Sequence, residues 1–274
     1  AMLSSREVLA RLPAHDGTIP GLIATRAAAH PHRDALVYEG RTWSWQALER
    51  DVGRVAAWLA DAGVQRGDRV AVCASNSAAF VLTFFAAGRL GATLATINPD
   101  VAAPDVADIF ARVEPKLVLH GGSGSARALE ALALHPLRGV VLDDMLAEAE
   151  HRTLPIPAAA ARADDTCLVM FTSGTTGRPK GVMHAQRTFA LAGECFVERM
   201  RIQPEDRLLA VMPLFHINAM FYSVGGACAA GATVIIAPRF SASTFWQLAA
   251  ETRATEVNLI MAATNILLRR PRSE

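Results

Sequence analysis

The alternation of short β-branched runs, apolar on both sides, with helical stretches constrains this chain most. Arg69–Ala74, Ala92–Ile97, Lys116–His120 and Gly139–Leu142 read as strands, separated by helices at Ala78–Leu90, Asp105–Val113 and near Ala126–Leu134. A strand that is apolar at every position has no solvated face, and strands joined through helices run parallel. The pattern predicts an α/β fold of parallel-sheet layers covered by helices on both faces. An opening hairpin is expected where Ala35–Tyr38 and Arg41–Trp43 flank Glu39-Gly40. Ser44 then offers an N-cap to a helix carrying Leu48, Val52, Val55, Ala56 and Leu59 at helical spacing, which Gly63 ends.

His151–Ala163, with two prolines, breaks this rhythm. The expected organisation is an N-terminal extension over 1–18, a first α/β stretch over 19–150, a linker over 151–163 and a second, incomplete α/β stretch over 164–274. In that second stretch the strands are Thr166–Phe171, Arg207–Met212, Thr233–Ala237 and Glu256–Ile260. Helices are expected near His184–Arg199, near Ile217–Ala230, at Ala242–Thr252 and near Ala262–Arg270.

Composition excludes several functions. With 27 Lys+Arg against 26 Asp+Glu the net charge is +1, which argues against nucleic acid and a polybasic membrane surface as partners. Cys73, Cys167, Cys195 and Cys228 lie far apart in apolar stretches, with no zinc-ligand spacing. Free, buried thiols and a cytoplasmic location are the expectation. Leu208–Pro238 holds no charged residue, yet Pro213, His216, Asn218, Gly225, Gly226 and Gly231 divide it into shorter buried elements. No transmembrane segment and no signal peptide are expected.

The chemistry gathers in Phe171-Thr-Ser-Gly-Thr-Thr-Gly-Arg-Pro-Lys-Gly181, directly after a buried strand. Gly174, Gly177 and Gly181 let backbone N–H groups approach an anion. Thr172, Ser173, Thr175 and Thr176 add hydroxyl donors, and Arg178 and Lys180 add charge. Such a loop at the end of a parallel strand suits a polyphosphate. It is not a Walker A loop, because Pro179 stands where the second glycine belongs. Lys180 is one of only two lysines, Lys116 being the other, so a compact ammonium is indicated there.

Thr172–Gly181 (TSGTTGRPKG) closely resembles the phosphate-loop signature of the AMP-forming superfamily of acyl-CoA synthetases, luciferases and peptide-synthetase adenylation domains. Gly88–Pro99 (GRLGATLATINP), Met212–Ala219 (MPLFHINA) and Gly231–Pro238 (GATVIIAP) resemble further segments of it. The FHINA form with Phe240–Trp246 is most similar to carnitine/crotonobetaine-CoA-ligase-type synthetases. The resemblance covers the chain from about Ile19 onward.

It implies a reaction in which a carboxylate attacks the α-phosphate of ATP, with Mg2+, and coenzyme A then accepts the acyl group. Thr172, Ser173, Gly174, Thr175, Thr176 and Gly177 would cradle the phosphates, and Lys180 would supply charge to the pyrophosphate. His216 would stand beside the acyl carboxylate, with Asn218, Met220 and Phe221 as further acyl-site candidates. Complete members are roughly twice as long, and the chain lacks their Tyr-Gly-x-Thr-Glu segment and late lysine. The resemblance thus implies an N-terminal portion, incompetent alone, whose main magnesium carboxylate lies elsewhere. Two other readings stand beside it. One is a nucleotide-binding truncated paralogue without turnover. The other is a nicotinamide-type oxidoreductase, suggested by Gly121-Gly-Ser-Gly124 between two strands, the second ending at Asp143, but with Arg127 where the third glycine belongs.

Overall fold

Two residues with positive φ in succession, Glu39 at 46° and Gly40 at 81°, close the first hairpin. That backbone matches the right-handed twist of the flanking strands, β1 (Asp34–Tyr38) and β2 (Arg41–Ser44). The computed structural model describes residues 15–172 and 179–270. Before the hairpin lies α1 (Ile19–Ala29), capped by Thr18. After it, the Ser44 hydroxyl accepts from Ala47 N at 3.2 Å and starts α2 (Trp45–Asp61).

The chain then alternates: β3 (Arg69–Ala74), α3 (Ala78–Leu90), β4 (Thr93–Ile97), α4 (Ala103–Val113), β5 (Leu117–Gly121), α5 (Gly124–Leu134), β6 (Gly139–Val141) and α6 (Leu142–His151). Residues 152–162 hold neither helix nor strand. There follow β7 (Thr166–Thr172), β8 (Lys180–Ala185), α7 (Gln186–Met200), β9 (Arg207–Ala210), a π-helix (Asn218–Val224), α8 (Gly225–Ala230), β10 (Thr233–Ile236), α9 (Phe245–Glu251), β11 (Glu256–Val257) and α10 (Met261–Leu268).

Two sheets result, ordered β11-β9-β10-β1-β2 and β6-β5-β3-β4-β7-β8. All pairs are parallel except the hairpins β1–β2 and β7–β8. Each sheet draws strands from both sides of the 152–162 segment, so neither stretch forms a sheet of its own. The largest apolar cluster gathers α3 with strands of both sheets, and a second fills the space between the second sheet, α4 and α5. α3 is buried almost all round, as a central helix between two sheets must be. Buried polar side chains fasten the layers. Gln186 accepts from Ile19 N and donates to Gly88 O, both at 2.9 Å. Asp51, 1% exposed, accepts from Trp43 Nε1 at 3.1 Å and pairs with Arg50 and Arg54.

Several expectations need correction. Leu142 does not end a strand; it opens α6, whose apolar residues Leu142, Met145 and Ala149 are buried. Lys180–Ala185 pairs antiparallel with β7, where only a loop leading into a helix is expected. The helix foreseen over Ile217–Ala230 is a seven-residue π-helix running into α8. The strand Glu256–Ile260 shrinks to two residues: β11 is an edge strand, and among the described residues it pairs with β9 alone. Four free cysteines are present, but Cys195 is only partly buried. Burial pushes the thiols of Cys73, Cys167 and Cys228 up to about 12, so they are packing groups rather than nucleophiles.

Burial, with Asp206 nearby, pushes the Glu256 carboxyl up to about 7. A carboxyl with a raised pKa favours folding at low pH, and that contribution is lost as pH rises from about 4.5 through 7. Glu256→Gln is therefore expected to stabilise the protein by about 2 kcal/mol at pH 8 and to change little at pH 5. Thermal melts of both proteins at the two pH values check this; an equal shift at both would contradict it.

Candidate active site

Thr172 and Lys180 form the last cross-strand pair of the β7–β8 hairpin, with Thr172 Oγ1 3.5 Å from Lys180 O. The donor-rich segment therefore begins and ends at the C-terminal edge of a parallel sheet, where open α/β sheets bind ligands. Ser173, Gly174, Thr175, Thr176 and Gly177 lie outside the described residues, as does Arg178. Both Thr172 and Lys180 are exposed at the root of the loop.

Arg112, in the last turn of α4, braces this root. Its Nη1 donates to Pro179 O at 2.7 Å, and its guanidinium lies 5.9 Å from the Phe171 ring centre. Asp108, one turn back, holds it from the other side at 3.0 Å. Sequence reasoning missed Arg112. The Asp108–Arg112 spacing is visible in the sequence, but its target is sixty-odd residues away.

The second part of the site follows β9. Val211, Met212 and Leu214 are buried, and the chain turns so that His216 N donates to Pro213 O at 3.0 Å. His216 reaches the surface with its ring 4.5 Å from that of Phe215. Partial desolvation lowers its pKa, so the imidazole is neutral at pH 7. Asn218 opens the π-helix, a rare geometry that often marks a functional position. Its Oδ1 is a buried acceptor with no hydrogen-bond partner among the described residues.

Met220 and Phe221, also acyl-site candidates, are built into the core at 0% and 1% exposure. Phe221 packs edge-on against His184 of β8 at 4.9 Å and against Phe189 of α7 at 5.6 Å. This contact ties the π-helix to the strand that Lys180 begins. His184 pairs with Leu168, so the π-helix is joined to the end of the hairpin away from Thr172 and Lys180, and His216 lies in the turn leading into that helix. Asn76, which the sequence reading did not single out, joins that turn to the end of β3.

The glycine-rich segment after β5 has a structural role. An added Cβ on Gly124 would run into the Cys73 carbonyl, and Ser123 N donates to Ser75 Oγ at 3.0 Å. The segment is thus packed against the end of β3. Asp143 lies in the first turn of α6 rather than at a strand end. Among the described residues no group of three or more His, Cys, Asp or Glu could hold a metal ion.

The sequence profile of the family described as AMP-binding enzyme matches residues 23–274. The chain is 32% identical over 258 residues to the long-chain-fatty-acid–CoA ligase FadD13 of Mycobacterium tuberculosis, covering 91% of this chain and 51% of that protein. It is 27% identical over 266 residues to crotonobetaine/carnitine–CoA ligase of Escherichia coli, covering 90% and 52%. Its fold superposes with a TM-score of 0.81, at 25% identity, on O-succinylbenzoate coenzyme A synthetase of Bacillus subtilis solved with ATP and magnesium ion. That match covers 93% of this chain and 67% of the other. The chain spans about half the length of the curated relatives it matches.

Proposed function

The chain belongs to the AMP-binding enzyme family, and from that premise we propose that its protein is an acid–thiol ligase working through an acyl-adenylate. A carboxylate oxygen attacks the α-phosphorus of ATP, the bond to the β-phosphate oxygen breaks, and pyrophosphate leaves with the electron pair. The coenzyme A sulfur then attacks the acyl carbon, AMP departs, and the thiol proton is released. The observation that supports this reading best is the TSGTTGRPKG segment, whose Thr172 and Lys180 pair at the loop end of the β7–β8 hairpin, on the C-terminal edge of β7.

In this reading Thr172, Ser173, Gly174, Thr175, Thr176 and Gly177 hold the β- and γ-phosphates by hydroxyl and backbone N–H groups. Lys180 stabilises the charge that develops on pyrophosphate. Arg112 keeps Pro179, and with it the loop's exit, in place. His216, neutral at pH 7, gives the carboxylate a hydrogen-bond donor without neutralising the nucleophile by protonation. Asn218 supplies a polar atom at the acyl side, and Met220 and Phe221 support that wall from within the core. Magnesium would accompany ATP, and the described residues offer it no carboxylate set.

The acid is a small-molecule carboxylic acid, and free thiols fit a reducing, cytoplasmic setting. The 274 residues alone are proposed to carry the phosphate loop and part of the acyl wall without completing the reaction. The gene product, given a panel of carboxylic acids, is expected to exchange labelled pyrophosphate into ATP with at least one of them and to form the thioester when coenzyme A is added. The 274-residue chain is expected to show no exchange. Exchange by neither protein, or nucleotide binding with no acid dependence, would favour the non-catalytic reading.

A further inference from the structure

The two sheets share no strand, so the offset between their C-terminal edges must be fixed by side chains crossing between them. Asn76 makes such a crossing. It lies two residues beyond the end of β3 and is 6% exposed. Its Nδ2 donates to Met212 O at 2.9 Å and to Ala237 O at 3.1 Å, while its Oδ1 accepts from Leu214 N at 2.8 Å. Met212 follows β9 and Ala237 follows β10, so one amide reads both loop starts of the opposite sheet.

The orientation is over-determined. A flipped amide would set its oxygen against two carbonyl oxygens and its NH2 group against a backbone N–H. The base of the side chain is equally fixed, because Ser77 next to it caps α3 by accepting from Phe80 N at 3.2 Å. The three backbone groups it satisfies belong to residues that are themselves buried, so water cannot replace it without opening the core. Pro213 lies between two of them, and its carbonyl accepts from His216 N. The path from β3 to His216 is therefore Asn76, the Met212–Leu214 backbone, Pro213 O and His216 N.

We propose that Asn76 is a positioning residue for the acyl side of the site: it holds the Met212–Leu214 segment in register with the end of β3 and so sets His216. This rests on the ligase reading for its catalytic consequence, but its structural half stands apart from it. The phosphate loop is tied to the sheet through β7, β8 and Arg112 and does not depend on these three bonds. Loss of Asn76 should therefore be felt by the carboxylic acid and not by the nucleotide.

Two variants test it in the gene product. Asn76→Ala removes all three bonds and is expected to raise the KM for the acid at least 10-fold while changing the KM for ATP less than 2-fold. It should also speed hydrogen–deuterium exchange at the Leu214 amide. Asn76→Asp keeps the acceptor for Leu214 N–H but loses both donors, and protonation of its carboxyl returns one O–H to the two carbonyls. Its acid KM is expected to fall toward wild type as pH drops from 8 to 6, a trend the wild type lacks. Should Asn76→Ala fail to fold, Asn76→Asp and its pH trend decide. An unchanged acid KM, or equal rises in both KM values, overturns the proposal. If the wild type shows no acid-dependent pyrophosphate exchange, the ligase reading fails and the exchange data judge the structural half. Leu214 protection unchanged in Asn76→Ala overturns that half; protection lost there alone upholds it.

Discussion

Replacing Lys180 by methionine is expected to lower kcat/KM for ATP by about 100- to 1000-fold, or about 3–4 kcal/mol of transition-state stabilisation, the scale measured when one preorganised donor is removed from a developing negative charge. In the proposed adenylation, charge would accumulate on pyrophosphate as the α–β bridge breaks, and a lysine at the root of the loop would meet it more strongly in the transition state than in bound ATP. The effect should thus fall mainly on kcat, with a smaller change in the KM for the acid. Lys180→Arg keeps the charge but spreads it over a planar fork, and it should recover only part of the loss. Melting temperatures should barely change, because Lys180 is exposed at the start of β8. Steady-state pyrophosphate exchange with each variant checks this; wild-type kcat in Lys180→Met would remove the lysine from the chemistry.

Phe189→Ala is expected to destabilise the fold by about 3–5 kcal/mol, as for other fully buried aromatics cut back to alanine. Phe189 of α7 is 0% exposed, and its ring centre lies 5.1 Å from Phe84, 6.4 Å from Phe85 and 5.6 Å from Phe221. It joins the central helix α3 to the π-helix, so the cavity opens beneath the π-helix. For a domain of this size the loss corresponds to a drop in Tm of roughly 10 °C. Backbone contact there leaves little room to collapse: an added Cβ on Gly193, one turn along α7, would overlap the Gly225 carbonyl. Phe189→Leu should cost less than half as much. A thermal melt that moves by under 3 °C in Phe189→Ala would contradict this account of the core.

Where local chemistry decides the structure, the sequence is legible. Glu39-Gly40 demands a tight hairpin, Ser44 caps a helix, and Val70–Ala74 is apolar throughout. Arg69–Ala74 and Ala78–Leu90 appear in the structure at the foreseen boundaries. What escapes depends on partners distant in the chain. β8 is a strand because β7 offers it an edge; its own residues, with Gly181 and exposed Met183, carry no strand signature. α6 is obscured because Val140-Val141-Leu142 reads as one apolar run, although Leu142 already belongs to the helix. The π-helix has no local signal, since its extra residue per turn follows from packing against α7 and β9.

The candidate site divides in the same way. The loop from Thr172 to Gly181 stands out in the sequence because glycines, hydroxyls and a cation lie close together after a buried strand, a composition that suits a polyphosphate. Arg112 and Asn76 do not, because an arginine in a last helical turn and an asparagine after a strand are ordinary. Their meaning lies in Pro179 on one side and in Met212, Leu214 and Ala237 on the other.

The central claim is that a carboxylate oxygen attacks the α-phosphorus. Supplying the gene product with ATP, coenzyme A and a carboxylic acid labelled with oxygen-18 in its carboxylate reads this directly by mass spectrometry of the products. One labelled oxygen in AMP, with unlabelled pyrophosphate, is the result predicted. Label in inorganic phosphate alongside ADP would mean attack on the γ-phosphorus, and unlabelled AMP would mean hydrolysis; either would contradict the adenylate mechanism.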